Sequence, residues 1–156
     1  GGGQEKGMRA GTENILGIRG FGEAAKFMIN ATENNCSQVK FLRDYFQEKI
    51  KNLSPETVIF GEKTDRVANT LLMALPNISG DLALMKLDLE SFSVSSGSAC
   101  SSGKIAKSHV VSAMGFDELE LNSVRISFPP NDAILNSENL ITTKELDRLA
   151  FCWANL

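Results

Sequence analysis

The longest periodic signal lies near the start of the chain. Ala25, Ile29, Thr32, Cys36, Val39, Leu42, Phe46, Ile50 and Leu53 recur at spacings of three and four, which lines one face of a helix over residues 14–53. At about 1.5 Å per residue such a helix reaches roughly 60 Å, more than a small domain needs, so it is expected to bridge two bodies. The Ser54-Pro55 pair closes it, because proline cannot continue a helix and biases the preceding residue toward extended geometry.

Beyond the helix, short apolar runs alternate with helical patterns. Strands are expected at 57–60 and 70–75, the second ended by Pro76-Asn77, followed by a helix over 80–89 and a strand over 92–95. A Ser/Gly loop leads to a short helix opened by Ser108 as N-cap and closed by Gly115. A strand over 124–128 and a terminal helix from 143 complete the order, with Thr142 or Thr143 as the cap and Glu145 in the first turn. Residues 129–141, with two prolines and several Asn and Asp, read as an exposed loop. The expected fold class is α/β, a long bridging helix (14–53) plus a small mixed α/β domain (54–156), with a glycine-rich leader at 1–13 and no internal repeat.

Composition narrows the function classes. The chain has 156 residues, 42% hydrophobic and 22% charged, enough for a real core. A formal net charge of -3 and the lack of any Lys/Arg block argue against nucleic acid as a partner. No apolar run approaches the roughly 18 residues of a membrane span, and no secretory signal is visible, so a cytoplasmic location and no membrane partner are expected. The cysteines, at 36, 100 and 152, form no CxxC pair and no disulfide framework, and Cys36 and Cys152 read as core or helix-face packing. The single histidine, His109, excludes a His-rich metal site and reads as a packing or hydrogen-bonding residue at a helix start. The first residue is Gly1 rather than Met, which points to a trimmed chain or the downstream part of something longer.

Three stretches can carry chemistry. Of the 13 glycines, 8 fall in the first 22 residues, and the stretch ending Arg9-Ala10-Gly11-Thr12 stands directly before the long helix. Glycines let backbone N–H groups approach an anion, and a helix N-terminus favours negative charge, which makes the stretch a candidate phosphate cradle. A flexible linker, or Thr12 as a plain helix cap, explains the same residues. The second stretch is the loop at 95–107, in which Cys100 stands between Gly97 and Gly103 with Lys104 and Lys107 nearby, a setting that favours the thiolate. In the third, Arg125 interrupts the apolar strand Ser123-Val124-Arg125-Ile126-Ser127, either as a carboxylate-binding fork or as a solvent-facing residue of an edge strand.

Taken together and in order, GGGQEKGMRAGTEN at 1–14, VSSGSACSSG at 94–103 with SHVVSAMG at 108–115, and VRIS at 124–127 resemble the NifS/IscS group of cysteine desulfurases, pyridoxal-phosphate enzymes related to class V aminotransferases. The resemblance covers most of this chain but only about the last two-fifths of a family member. It implies the C-terminal part of a PLP-dependent transferase: residues 1–13 as the end of the large domain, 14–53 as the bridging helix and 54–156 as the small domain. It implies that Cys100 takes sulfur from L-cysteine as a persulfide and leaves alanine, for sulfur transfer and iron-sulfur cluster assembly. Thr12 is implied to reach the cofactor phosphate of the other subunit of a dimer, and Arg125 to clamp the substrate carboxylate. A sulfur-acceptor or iron-sulfur scaffold protein is implied as partner, with Cys100 touching a nascent cluster transiently.

The chain departs from the family pattern at two places. The Schiff-base lysine lies in a serine-x-histidine-lysine segment of the family, whereas His109 is followed by Val110. The chain alone is therefore expected to be inactive, and its complete site to need an upstream half. The link at 129–141 before the Thr142-Thr143-Lys144-Glu145 helix start is also longer than the short glycine-containing link of the family. A non-catalytic remnant or interaction module, binding a sulfur-acceptor scaffold or a desulfurase subunit, is the alternative expectation.

Overall fold

A computed structural model describes residues 2–96, 107–129 and 142–156. The predicted loop at 129–141 falls almost wholly outside the described residues. The chain divides into two compact units, Gly1–Asn34 and Asn35–Leu156.

The first unit holds a 3-10 turn at Gln4–Gly7 and the opening turns of helix α1 (Ile15–Leu53). Its cap is Asn14, whose side-chain oxygen accepts from the Gly17 N–H at 3.0 Å, so Thr12 is not the helix cap. Ile15, Leu16, Ile18 and Phe21 are exposed, and Ile29, expected on the packed face, is 77% exposed.

In the second unit the expected stripe is a true core face. Val39, Phe46 and Ile50 of α1 are buried, and Leu42 packs beside them. They cover a four-stranded antiparallel sheet of β1 (Val58–Ile59), β2 (Thr70–Ala74), β3 (Ser95–Ser96) and β4 (Ser123–Ser127), in the order β1-β2-β4-β3. Strand alternation sorts the sheet into two faces. Leu71, Met73, Val124 and Ile126 join α1, helix α2 (Gly80–Leu89) and helix α4 (Thr143–Ala154) in the main core. On the other side Ala74 and Leu72 meet Phe60, Val111 of the short helix α3 (His109–Ala113) and Leu119.

Local sequence fixes the helix ends. Ser79 caps α2, accepting from the Leu82 N–H at 3.3 Å. Ser108 caps α3, and Gly115 ends it with φ +85. Thr142 caps α4 in a capping box, its N–H donating to Glu145 at 2.8 Å while its hydroxyl accepts from the Glu145 N–H at 3.3 Å. The strand expected at 92–95 is shorter and later than predicted. The chain leaving α2 turns through Ser91 (φ +64), and the Phe92 N–H is taken by the Leu87 carbonyl at 2.9 Å, so pairing starts only at Ser95.

Gly80 is where α2 meets the sheet. Its N–H donates to the Leu121 carbonyl at 2.7 Å, and a Cβ there would lie 2.7 Å from the Ser123 carbonyl oxygen, a backbone atom that cannot swing away. Gly80→Ala is therefore expected to destabilise the fold by about 1–3 kcal/mol, as overpacked sites do. Urea unfolding reads this as a lower midpoint with an unchanged slope.

Candidate functional site

Arg125 lies on β4, an interior strand of the sheet with β2 on one side and β3 on the other, so the edge-strand alternative does not hold. Its neighbours in the strand, Val124 and Ile126, point into the main core, which turns Arg125 to the opposite face, where it is exposed. Directly across from it stand Leu72 of β2 and Ser95 of β3. An exposed guanidinium offers five donors in a planar fork and matches a carboxylate bidentately. The main core behind β4 keeps the strand rigid, so the fork has a fixed base.

Cys100 and the stretch around it lie outside the described residues, but both stems of the 95–107 loop are defined. On the entering side Ser95 and Ser96 pair with Arg125 and Val124, and the Ser96 hydroxyl donates to Asp81 at 2.8 Å. On the leaving side the Ser108 N–H donates to the Glu120 carbonyl at 3.3 Å. Lys107 forms an ion pair with Glu120 at 2.9 Å. The Lys107 ammonium, and then the Ser112 hydroxyl, hold the Glu120 carboxyl below the ordinary glutamate value, while the same contact raises Lys107. Both stems thus end on one run, residues 120–125, which also carries Arg125.

Thr12 belongs to the first unit and is exposed. The Arg9 guanidinium donates to its carbonyl at 3.3 Å, and Gly7 and Gly11 adopt φ +83 and +97, left-handed values that favour glycine. A hydroxyl, a guanidinium and open glycine backbone form the donor set that a phosphate ester takes. That set fits the phosphate end of pyridoxal phosphate, but no lysine of this chain stands in the segment that would bind its carbonyl carbon.

Two secondary expectations change. Cys36 is exposed on α1 rather than packed, because the core-covered part of the helix begins near Val39. His109 heads α3 but is exposed, so it is not a packing residue. Cys152 is half-buried against the main core, as expected. Sequence reasoning missed Asp81 and Glu120. The available signals were a carboxylate in the first turn of α2 and an acidic residue just ahead of the Arg125 strand, both ordinary on their own. No group of His, Cys, Asp or Glu among the described residues could hold a metal ion, and no helix there is long and apolar enough to cross a membrane.

Comparison with known proteins gives these arrangements a family. The sequence model of aminotransferase class V matches residues 2–137. A protein named cysteine desulfurase IscS, from Dictyoglomus turgidum, is 36% identical over 146 residues, 93% of this chain and 34% of its own length. Cysteine desulfurase NifS of Azotobacter vinelandii is 40% identical over 114 residues, 73% of this chain and 28% of its own. Among solved structures, the NifS-like protein of Rickettsia africae superposes with a TM-score of 0.73 at 32% identity, covering 99% of this chain and 37% of that one. The chain spans about a third of the length of the curated relatives it matches. With its family model matched across most of its residues and its fold shared with a NifS-like structure, the chain belongs to the class V aminotransferase family.

Proposed function

We propose that this chain is the C-terminal portion of a cysteine desulfurase, a pyridoxal-phosphate-dependent transferase that moves sulfur from L-cysteine to its own thiol. The observation that carries the reading is the register of β3 and β4, in which the stem of the Cys100 loop lies beside the exposed Arg125. Nucleophile segment and carboxylate fork thereby share one rigid strand pair.

Arg125 binds the substrate carboxylate and fixes the amino acid by that end. Pyridoxal phosphate, when bound, supplies the electron sink that lets the substrate lose its sulfur. The Cys100 thiolate attacks the substrate sulfur; the new S–S bond forms as the Cβ–S bond breaks. The electron pair released to Cβ is quenched by a proton to give alanine, so the exchange needs no external oxidant or reductant. Lys104 and Lys107 place positive charge in sequence near Cys100, which favours its thiolate. Thr12, with Arg9 behind it, holds the cofactor phosphate of the other subunit in a dimer. The persulfide then passes to a sulfur-acceptor or iron-sulfur scaffold protein, with Cys100 touching the nascent cluster.

The missing lysine segment assigns the rest of the active site to an upstream polypeptide. The exposed Ile15, Leu16, Ile18 and Phe21 at the start of α1 support a body of that kind packing there. The same missing lysine favours a second reading, a non-catalytic module that binds a desulfurase subunit or scaffold.

The test is steady-state alanine release from L-cysteine by the complete enzyme carrying Arg125→Gln. Truncating one partner of a bound charge pair costs about 2–5 kcal/mol, so kcat/KM is expected to fall by roughly 30-fold or more, chiefly through KM. An unchanged KM contradicts the carboxylate role of Arg125.

A further inference from the structure

We propose that the Lys107–Glu120 ion pair is a positioning contact that ties the leaving stem of the Cys100 loop to the strand carrying Arg125. The inference deepens the desulfurase reading and rests on it for the role of Cys100, but its geometry stands alone.

Both stems converge on residues 120–125. The entering stem is held twice, by pairing of Ser95 and Ser96 with Arg125 and Val124 and by the Ser96 hydroxyl on Asp81. Asp81 is itself fixed, because α2 begins at Gly80, whose N–H bonds the Leu121 carbonyl. The leaving stem has one backbone bond, from Ser108 to the Glu120 carbonyl at 3.3 Å. Its other tie is the 2.9 Å pair between Lys107 and Glu120. The two partners differ sharply in exposure. Glu120 is 8% exposed, whereas the Lys107 side chain is 72% exposed.

That asymmetry argues for positioning over stability. An exposed lysine gains little folding energy from an ion pair, since water screens it and four rotatable bonds must be frozen. A nearly buried carboxylate, in contrast, holds a fixed place in the fold and needs a cation to satisfy it. Asp117 lies near enough to oppose ionisation of Glu120, and Ser112 donates to Asp117, which leaves Lys107 as the cation that the structure pairs with Glu120 among the described residues. The net effect is to register Lys107, the residue entering the α3 cap, against the segment that leads into Arg125.

The experiment uses the full chain with Cys36→Ser and Cys152→Ala, so that a nitroxide spin label attaches at Cys100 alone. Lys107→Met is expected to shorten the rotational correlation time of the label roughly twofold. Lys107→Arg keeps the pair and the wild-type spectrum. The exchange Lys107→Glu with Glu120→Lys restores it, and the thermal midpoint of Lys107→Met stays at the wild-type value. An unaltered spectrum for Lys107→Met, or one that Lys107→Arg alters equally, overturns the proposal. The label reports position whether or not the chain transfers sulfur. Failure here leaves the desulfurase reading intact, and failure of persulfide formation on Cys100 leaves the positioning contact intact.

Discussion

Trp153→Ala is expected to destabilise the second unit by about 3–5 kcal/mol, the range for emptying a fully buried aromatic site. Trp153 of α4 is 0% exposed in the main core, between the sheet and α1. Its indole N–H also donates to the Thr57 hydroxyl at 2.9 Å, and that hydroxyl donates in turn to Ser54 at 2.9 Å. Ser54 continues to the Glu56 carboxylate at 2.8 Å. The chain of bonds ties the last helix to the turn that ends α1, with Ser54 and Thr57 themselves buried. Alanine removes the ring and leaves the Thr57 oxygen short of a donor, so the cavity and the unsatisfied acceptor add. Trp153→Phe keeps most of the ring and is expected to lose only about 1–2 kcal/mol. Urea unfolding of the full chain reads both. A loss below about 1 kcal/mol for Trp153→Ala would show that α4 is not part of the cooperative core.

The second large effect concerns chemistry. In the complete enzyme, Cys100→Ser is expected to lower alanine release from L-cysteine at least about a thousandfold, because a serine hydroxyl is far less nucleophilic than a thiolate at neutral pH. The effect should fall on kcat with little change in KM, since Arg125 rather than Cys100 binds the substrate carboxylate. Cys36→Ser provides the contrast. Cys36 is exposed on α1 and has no role in the proposed exchange, so its removal tests whether exposure alone makes a thiol matter.

Much of the architecture was legible because it is written locally. The capping box of Thr142 and Glu145, the Ser108 cap and the Gly115 stop each depend on residues three to seven apart. Alternation in Ser123-Val124-Arg125-Ile126-Ser127 already sets Arg125 on the opposite face from Val124 and Ile126. What escaped was set at longer range. The periodic stripe of α1 does not show where its cover begins, so Cys36 and Ile29 were expected to pack although they are exposed. The late start of β3 is decided by the turn leaving α2, not by the apolar run at 92–95. Asp81 and Glu120 became visible as stem anchors only when the sheet order put residues 120–125 beside both ends of the loop. That β4 is an interior strand is likewise a property of topology.

The central claim is that Cys100 is the atom that receives substrate sulfur. It is tested most directly by incubating the complete enzyme with L-cysteine, digesting without reductant and weighing the cysteine peptides. The account predicts a gain of one sulfur atom on the peptide carrying Cys100, in step with alanine formation, and none on those carrying Cys36 or Cys152. Alanine formed at the normal rate with the added sulfur elsewhere, or with Cys100 replaced by serine, would contradict it.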